Sequence, residues 1–161
     1  RLAAGSTIEL LHRSAAALAA SLAPLRLDGL SLVRIGGFLA LVPRGETAAL
    51  GALAGTVVEA LDGFRAPPSD DEIARRQPDR LSPAQLRLLE RWGYPYVMEE
   101  FRFHFTLTGP LAEPEAEATR AALAPHLAPL LDAPLRIDSL CLFGEAEDGL
   151  FHNLRRYPLA G

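Results

Sequence analysis

The stretch "FRFHFTLTGPL", residues 101–111, decides how this chain is read. Successive side chains of a strand point to opposite faces, so Phe101, Phe103, Phe105 and Leu107 fall on one side and Arg102, His104, Thr106 and Thr108 on the other. The apolar side predicts a core face. The polar side predicts a wet or working one.

Working outward, "GPLAEPEAEATRAALAPHLAPLL" predicts a helix that Pro125 should kink or end, because proline removes an amide and crowds the preceding turn. "LRIDSLCLF" and "GLFHNLRRYPL" follow as two strands joined by the turn-rich "GEAEDG". Ahead of the opening stretch, Ser82 as cap, Pro83 at the first helical position, Gln85 at the third and Gly93 as terminator define a helix over 83–92. The polar segment "APPSDDEIARRQPDR" before it is a connection, with one short helical turn opened by Ser69 and Glu72.

Nearer the start, Ser6 and Glu9 form a capping box, and Ile8, Leu11, Ala15, Leu18 and Leu22 recur at helical spacing, so 6–22 reads as an amphipathic helix ended by Pro24. The runs "LRLDGLSLV" and "GFLALVP" flank "RIGG", where Gly36 and Gly37 supply the permissive backbone of a hairpin turn. Leu50, Leu53, Val57 and Leu61 then mark a second helix, with Gly63 as its left-handed stop. The order is helix, two strands, helices, strand, helix, two strands, an α+β pattern of two similar halves, each a helix followed by a hairpin. By that symmetry the strand at 101–108 has a counterpart just upstream of Arg1. The chain opens on "RLAAGSTIELL" without methionine, which predicts an N-terminally truncated domain.

Composition narrows the function classes. With 161 residues, 49% of them hydrophobic, the chain can build one ordinary globular core. A net charge of -4 gives no broad basic field, which argues against duplex nucleic acid and leaves a small phosphorylated substrate or a short RNA end as the better partner. Cys141 is the one cysteine, so neither an intramolecular disulfide nor a multi-cysteine metal site can form, as suits a reducing cytoplasm. No charged leader opens the chain and no apolar run approaches the ~20 residues that cross a bilayer, so no membrane role is expected. All 16 basic residues are arginine, a bias of composition rather than of function.

The pattern at His104 and Thr106, histidine-x-threonine-x-apolar on a strand, resembles the signature of the two-histidine phosphoesterase superfamily. Together with "LSPAQLRLLERWGYPYV", the stretch "EEFRFHFTLTGPL" looks more narrowly like a family of that superfamily encoded near phosphonate-use genes. The resemblance covers nearly the whole chain on a short motif. It implies a single domain over 1–161 made of two pseudo-symmetric lobes, antiparallel sheets around a central cleft and helices outside. It also implies a second histidine-x-threonine motif, which this sequence lacks and which would precede "RLAAGST".

The implied chemistry is hydrolysis of a cyclic phosphodiester or related phosphate ester. One group takes a proton from water and another protonates the departing oxygen, and histidine serves either role near neutral pH. His104 is then the catalytic acid or base, and Thr106 donates to the phosphate oxygens. Arg102 and Thr108 share the polar face as substrate-binding candidates, and Tyr96, beside Trp92 and Tyr94, stacks on a sugar or base or packs the neighbouring helix. No metal and no cofactor enter this scheme. With His104 acting alone, the loss of one acid or base predicts a deficit of roughly 10²–10⁴-fold.

On spacing alone, a lone histidine on a half-buried strand is more often structural than catalytic; the resemblance turns the reading toward catalysis. His12 lies off its helix's apolar stripe and is expected to be solvated. His126 follows a proline, and His152, sharing parity with Arg156, reads first as part of an edge strand. A phosphate loop, a nucleophile elbow and a helical histidine pair are all missing from the sequence. Two further readings stand beside the enzyme: a non-catalytic module that binds a phosphorylated ligand, and a structural or interaction protein.

Overall fold

The computed structural model describes residues 1–161. In chain order, the elements are α1 (Ile8–Ser21), β1 (Leu25–Leu27), β2 (Leu30–Ile35), β3 (Phe38–Pro43), α2 (Ala48–Leu61), α3 (Asp70–Ala74), α4 (Pro83–Trp92), β4 (Phe105–Thr106), α5 (Glu113–Leu131), β5 (Leu135–Ile137), β6 (Ser139–Glu145) and β7 (Phe151–Pro158). Every pairing is antiparallel: β2–β3–β4 form one sheet, β1–β5 a second and β6–β7 a third. The class is α+β.

The chain forms two compact units that do not follow its two sequence halves. Unit 1 takes residues 1–24, 50–101 and 138–161; unit 2 takes 25–49 and 102–137. Each long helix therefore belongs with the hairpin from the other half: α1 packs on β6 and β7, and α5 on β2 and β3.

In unit 1, α1 buries Ala15 and Ala19, one turn apart, and small side chains at that spacing let a helix axis approach a sheet closely. The helix is capped by Thr7, whose hydroxyl accepts the Leu10 amide, so the cap sits one residue after the Ser6 expected from the sequence. At its far end the Ala160 and Gly161 amides donate to the Ala19 and Leu22 carbonyls. Helix α4 is capped at both ends as its sequence predicts: Ser82 and Gln85 exchange side-chain and backbone bonds, and Gly93 closes it at φ 71°. The expected stop at Gly63 takes another form, because α2 tightens into a 3-10 turn over Asp62–Phe64 rather than reversing into a left-handed residue.

In unit 2, the β2–β3 hairpin turns at Gly36, which at φ 55° occupies a corner that glycine enters without strain. The run read as one strand, "LRLDGLSLV", is broken at Asp28-Gly29: Leu25–Leu27 pair with β5, and the hairpin begins at Leu30. Strand β3 is central and buries Leu39, Ala40 and Leu41 in succession, apolar residues on both faces. Helix α5 turns Ala116, Thr119, Leu123, Leu127 and Leu131 inward at helical spacing. It runs through Pro125 and Pro129, where the sequence predicted a kink or an end. Both prolines are exposed, so the carbonyls they release from the helical ladder can be hydrated. Arg44 secures the last turn of α5 by donating to the Leu131 carbonyl and the Asp132 carboxylate, each at 3.0 Å.

Candidate functional site

Of the stretch 101–111, only Phe105 and Thr106 form ladder pairs with β3, opposite Leu41 and Ala40. Beyond them the Leu107 amide donates to the Leu39 carbonyl at 2.9 Å, and the Leu111 amide to Gly37 at 2.7 Å. The expected alternation holds across the pair, with Phe105 and Thr106 on opposite faces. The expected core face does not hold at its far end: Phe105 and Leu107 are 42% and 37% exposed, because β4 is a two-residue edge with one neighbour. Phe101 and Phe103 are half-buried, and Phe103 meets Phe105 edge to face with ring centroids 5.0 Å apart.

His104 is exposed and held from two sides. Its Nδ1 lies 2.7 Å from the Arg102 carbonyl oxygen, and its ring tilts against Phe38 with centroids 5.8 Å apart. A carbonyl can only accept, so in the neutral ring the proton of this bond sits on Nδ1 and the Nε2 lone pair is left as the basic site. Thr106, two residues along, is exposed at its register position opposite Ala40.

The other predicted residues divide. Arg102 is exposed, and its carbonyl is what orients His104. Thr108 is half-buried with a committed hydroxyl: it accepts the Leu39 amide at 3.0 Å and donates to the Gly109 carbonyl at 2.8 Å, which uses its one proton on backbone. Tyr96 belongs to unit 1, 45% exposed and edge-on to Tyr94, over which the Arg76 guanidinium stacks at 4.7 Å. Trp92 carries the Arg91 guanidinium at 4.6 Å. Arg102, His104, Thr106 and Thr108 thus stand together on one segment of unit 2. A cavity in that unit, of about 520 Å³ beside α5, is lined by other residues, among them Leu30, Leu32, Arg44, Arg120 and Asp132.

One histidine has more structure around it than the sequence suggests. His12 is half-buried rather than solvated, and its Nδ1 is hydrogen-bonded to the hydroxyl of Tyr157, a ring that is itself buried. The two residues line a cavity of about 380 Å³ in unit 1, with Arg13 and Ala16 of α1 and Arg155, Arg156 and Pro158 of β7. The pair is 145 positions apart in the chain, so no local pattern announces it. The doublet Arg155-Arg156 is the only local sign.

Residues 1–152 match the family described as "Protein of unknown function (DUF1045)", and the chain belongs to that family. It is also similar to two proteins named ribose 1,5-bisphosphate phosphokinase PhnN. The relative from Janthinobacterium sp. (strain Marseille) is 37% identical over the whole of this chain and 37% of its own length. The one from Laribacter hongkongensis (strain HLHK9) is 35% identical over 94% of this chain and 33% of its own length. The chain thus spans about a third of the curated relatives it matches. No solved structure matches it.

Proposed function

We propose that this member of the DUF1045 family hydrolyses a cyclic phosphodiester or related phosphate ester of a sugar or nucleotide, with His104 as general base and Thr106 as a donor to the phosphate oxygens. The observation that carries the reading is the His104 hydrogen bond: with Nδ1–H donating to the Arg102 carbonyl, Nε2 is left as an exposed proton acceptor. A water proton passes to Nε2, the water oxygen bonds to phosphorus, and one ring P–O bond breaks. The departing oxygen then takes a proton from an acid on the opposite side, the role the resemblance gives to a second histidine-x-threonine motif. Thr106 supplies a hydroxyl donor as charge builds on the non-bridging oxygens. Arg102 adds a cation beside them.

The names of the relatives support a phosphorylated ribose as the substrate class, and with the resemblance they support a place in phosphonate metabolism. The phosphokinase activity in those names is not proposed for this chain. It has no lysine, and so no phosphate-loop lysine, and it corresponds to about a third of the proteins so named.

The test is turnover of a panel of ribose and nucleotide cyclic phosphates by the longer protein that carries both motifs the resemblance implies, and by its His104→Ala variant. Turnover of any member that drops by roughly 10²–10⁴-fold in the variant supports the enzyme. Binding without turnover favours a non-catalytic binding module. Equal turnover by both proteins removes His104 from the chemistry.

A further inference from the structure

We infer that the cavity between α1 and β7 in unit 1 is a second anion site, which takes the phosphate monoester of a small molecule. Arg13, Arg155 and Arg156 line it together with His12, and alternation along β7 puts the Arg155 side chain on the same face as Tyr157, the partner of His12. The ion pairs of the structure neutralise five other arginines, Arg1, Arg34, Arg44, Arg65 and Arg120, none of which lines this cavity. A chain with a net charge of -4 therefore places three of its arginines in the lining of one space of about 380 Å³.

Two carboxylates lie near the lining: Asp138, which accepts from the Ser139 hydroxyl that Arg156 holds, and Glu9, one turn before Arg13 on α1. The Glu9 carboxyl is lowered chiefly by a backbone hydrogen bond within Glu9 and by the Thr7 hydroxyl, and less by His12 and Arg13. Glu9 is thus tied to the start of its own helix. Arg156 donates one Nη1 bond to Ser139 at 2.6 Å, which fixes its direction.

His12 fits the same role. When the Tyr157 hydroxyl donates to Nδ1, the neutral ring keeps Nε2–H as a donor. Ala16, Pro158 and the Tyr157 ring supply an apolar part of the lining. A cavity at the small end of ligand-site volumes, with its cations grouped and an apolar wall beside them, suits a phosphorylated small molecule better than a polyanion. The lining residues belong to unit 1 and His104 to unit 2.

The experiment is titration of the chain with inorganic phosphate, ribose 5-phosphate and unphosphorylated ribose, followed by amide and imidazole NMR shifts. The expected result is a dissociation constant of ~1 mM or tighter for the two phosphates and none for ribose, with shifts centred on His12, Arg155 and Arg156. The double variant Arg13→Gln/Arg155→Gln, both sites exposed, should weaken binding at least ~10-fold with an unchanged spectrum elsewhere. His104→Asn should leave the affinity unchanged, which separates this site from the proposed hydrolytic one. Phosphate binding of equal strength in the arginine double variant, shifts confined to other residues, or no binding at all would overturn the assignment.

Discussion

Replacing His104 by asparagine separates its chemical role from its structural one. The asparagine amide can stand where Nδ1–H stands and donate to the Arg102 carbonyl, a bond of 2.7 Å in the wild type, but it has no basic nitrogen in place of Nε2. The residue is exposed, and an intramolecular hydrogen bond is worth about 0.5–1.5 kcal/mol net, so even complete loss of this one should lower the melting temperature by only a few degrees, roughly 2–4 °C per kcal/mol at this chain length. Loss of a general base removes roughly 10²–10⁴ in rate, or about 3–5 kcal/mol of transition-state stabilisation. Turnover of the best cyclic phosphate and thermal unfolding, measured on the same preparations, should therefore diverge: activity falls by decades while the melting temperature barely moves. Activity falling only in step with a collapse in stability would make His104 a structural residue, and undiminished activity in the asparagine variant would make it a bystander.

Three further outcomes follow from the geometry. The Glu72 carboxyl is lowered from 4.5 to about 2, first by the Ser69 backbone amide and then by the Arg1 side chain; its folded value lies below its unfolded one, so its contribution is present above about pH 4.5 and fades as pH falls toward 2. Glu72→Gln should flatten the acid limb of the denaturation profile across that window, and superimposable profiles would refute the assignment. Gly29→Ala should cost about 1–3 kcal/mol by urea denaturation, because the residue sits at φ 132° and an added Cβ would overlap the Leu131 carbonyl and come within 2.7 Å of the Arg44 guanidinium. Pro125→Ala should stabilise the chain, by at most about 3 kcal/mol, by restoring an amide to the middle of α5; unchanged or lower stability would count against a helix continuous through that position.

What the sequence discloses depends on how local the cause is. Helix α4 can be bounded to the residue because Ser82, Pro83, Gln85 and Gly93 act on their own neighbours, and the Ser69–Glu72 turn is legible for the same reason. Strand β4 is not, because a strand exists only through its partner, and Phe101–His104 find no ladder position on β3. The alternation of 105–108 could be read, since it is fixed by the backbone. The exposure of Phe105 and Leu107 could not, since it depends on which elements cover that edge. Pro125 illustrates the converse: a strong local signal for a break yields to the packing of Leu123, Leu127 and Leu131, because the proline faces water.

The two histidines of interest show how the same ring nitrogen can be put to opposite uses by its partner. Both are held through Nδ1, His104 by a carbonyl and His12 by a phenol. The carbonyl accepts only, so it draws the proton to Nδ1 and leaves Nε2 with a lone pair, the state a general base needs. The phenol can donate as well as accept; by donating to Nδ1 it leaves Nε2–H, the state an anion-binding donor needs. Arginines follow the same division, one beside His104 and three around His12. A single exposed cation suits a site that must release its product, whereas three around a small cavity suit one that retains its ligand. Imidazole nitrogen shifts would read the two tautomers directly: protonated Nδ1 in His104 and protonated Nε2 in His12. Finding the same tautomer in both rings would break the division of labour and, with it, one of the two phosphate roles argued from the geometry.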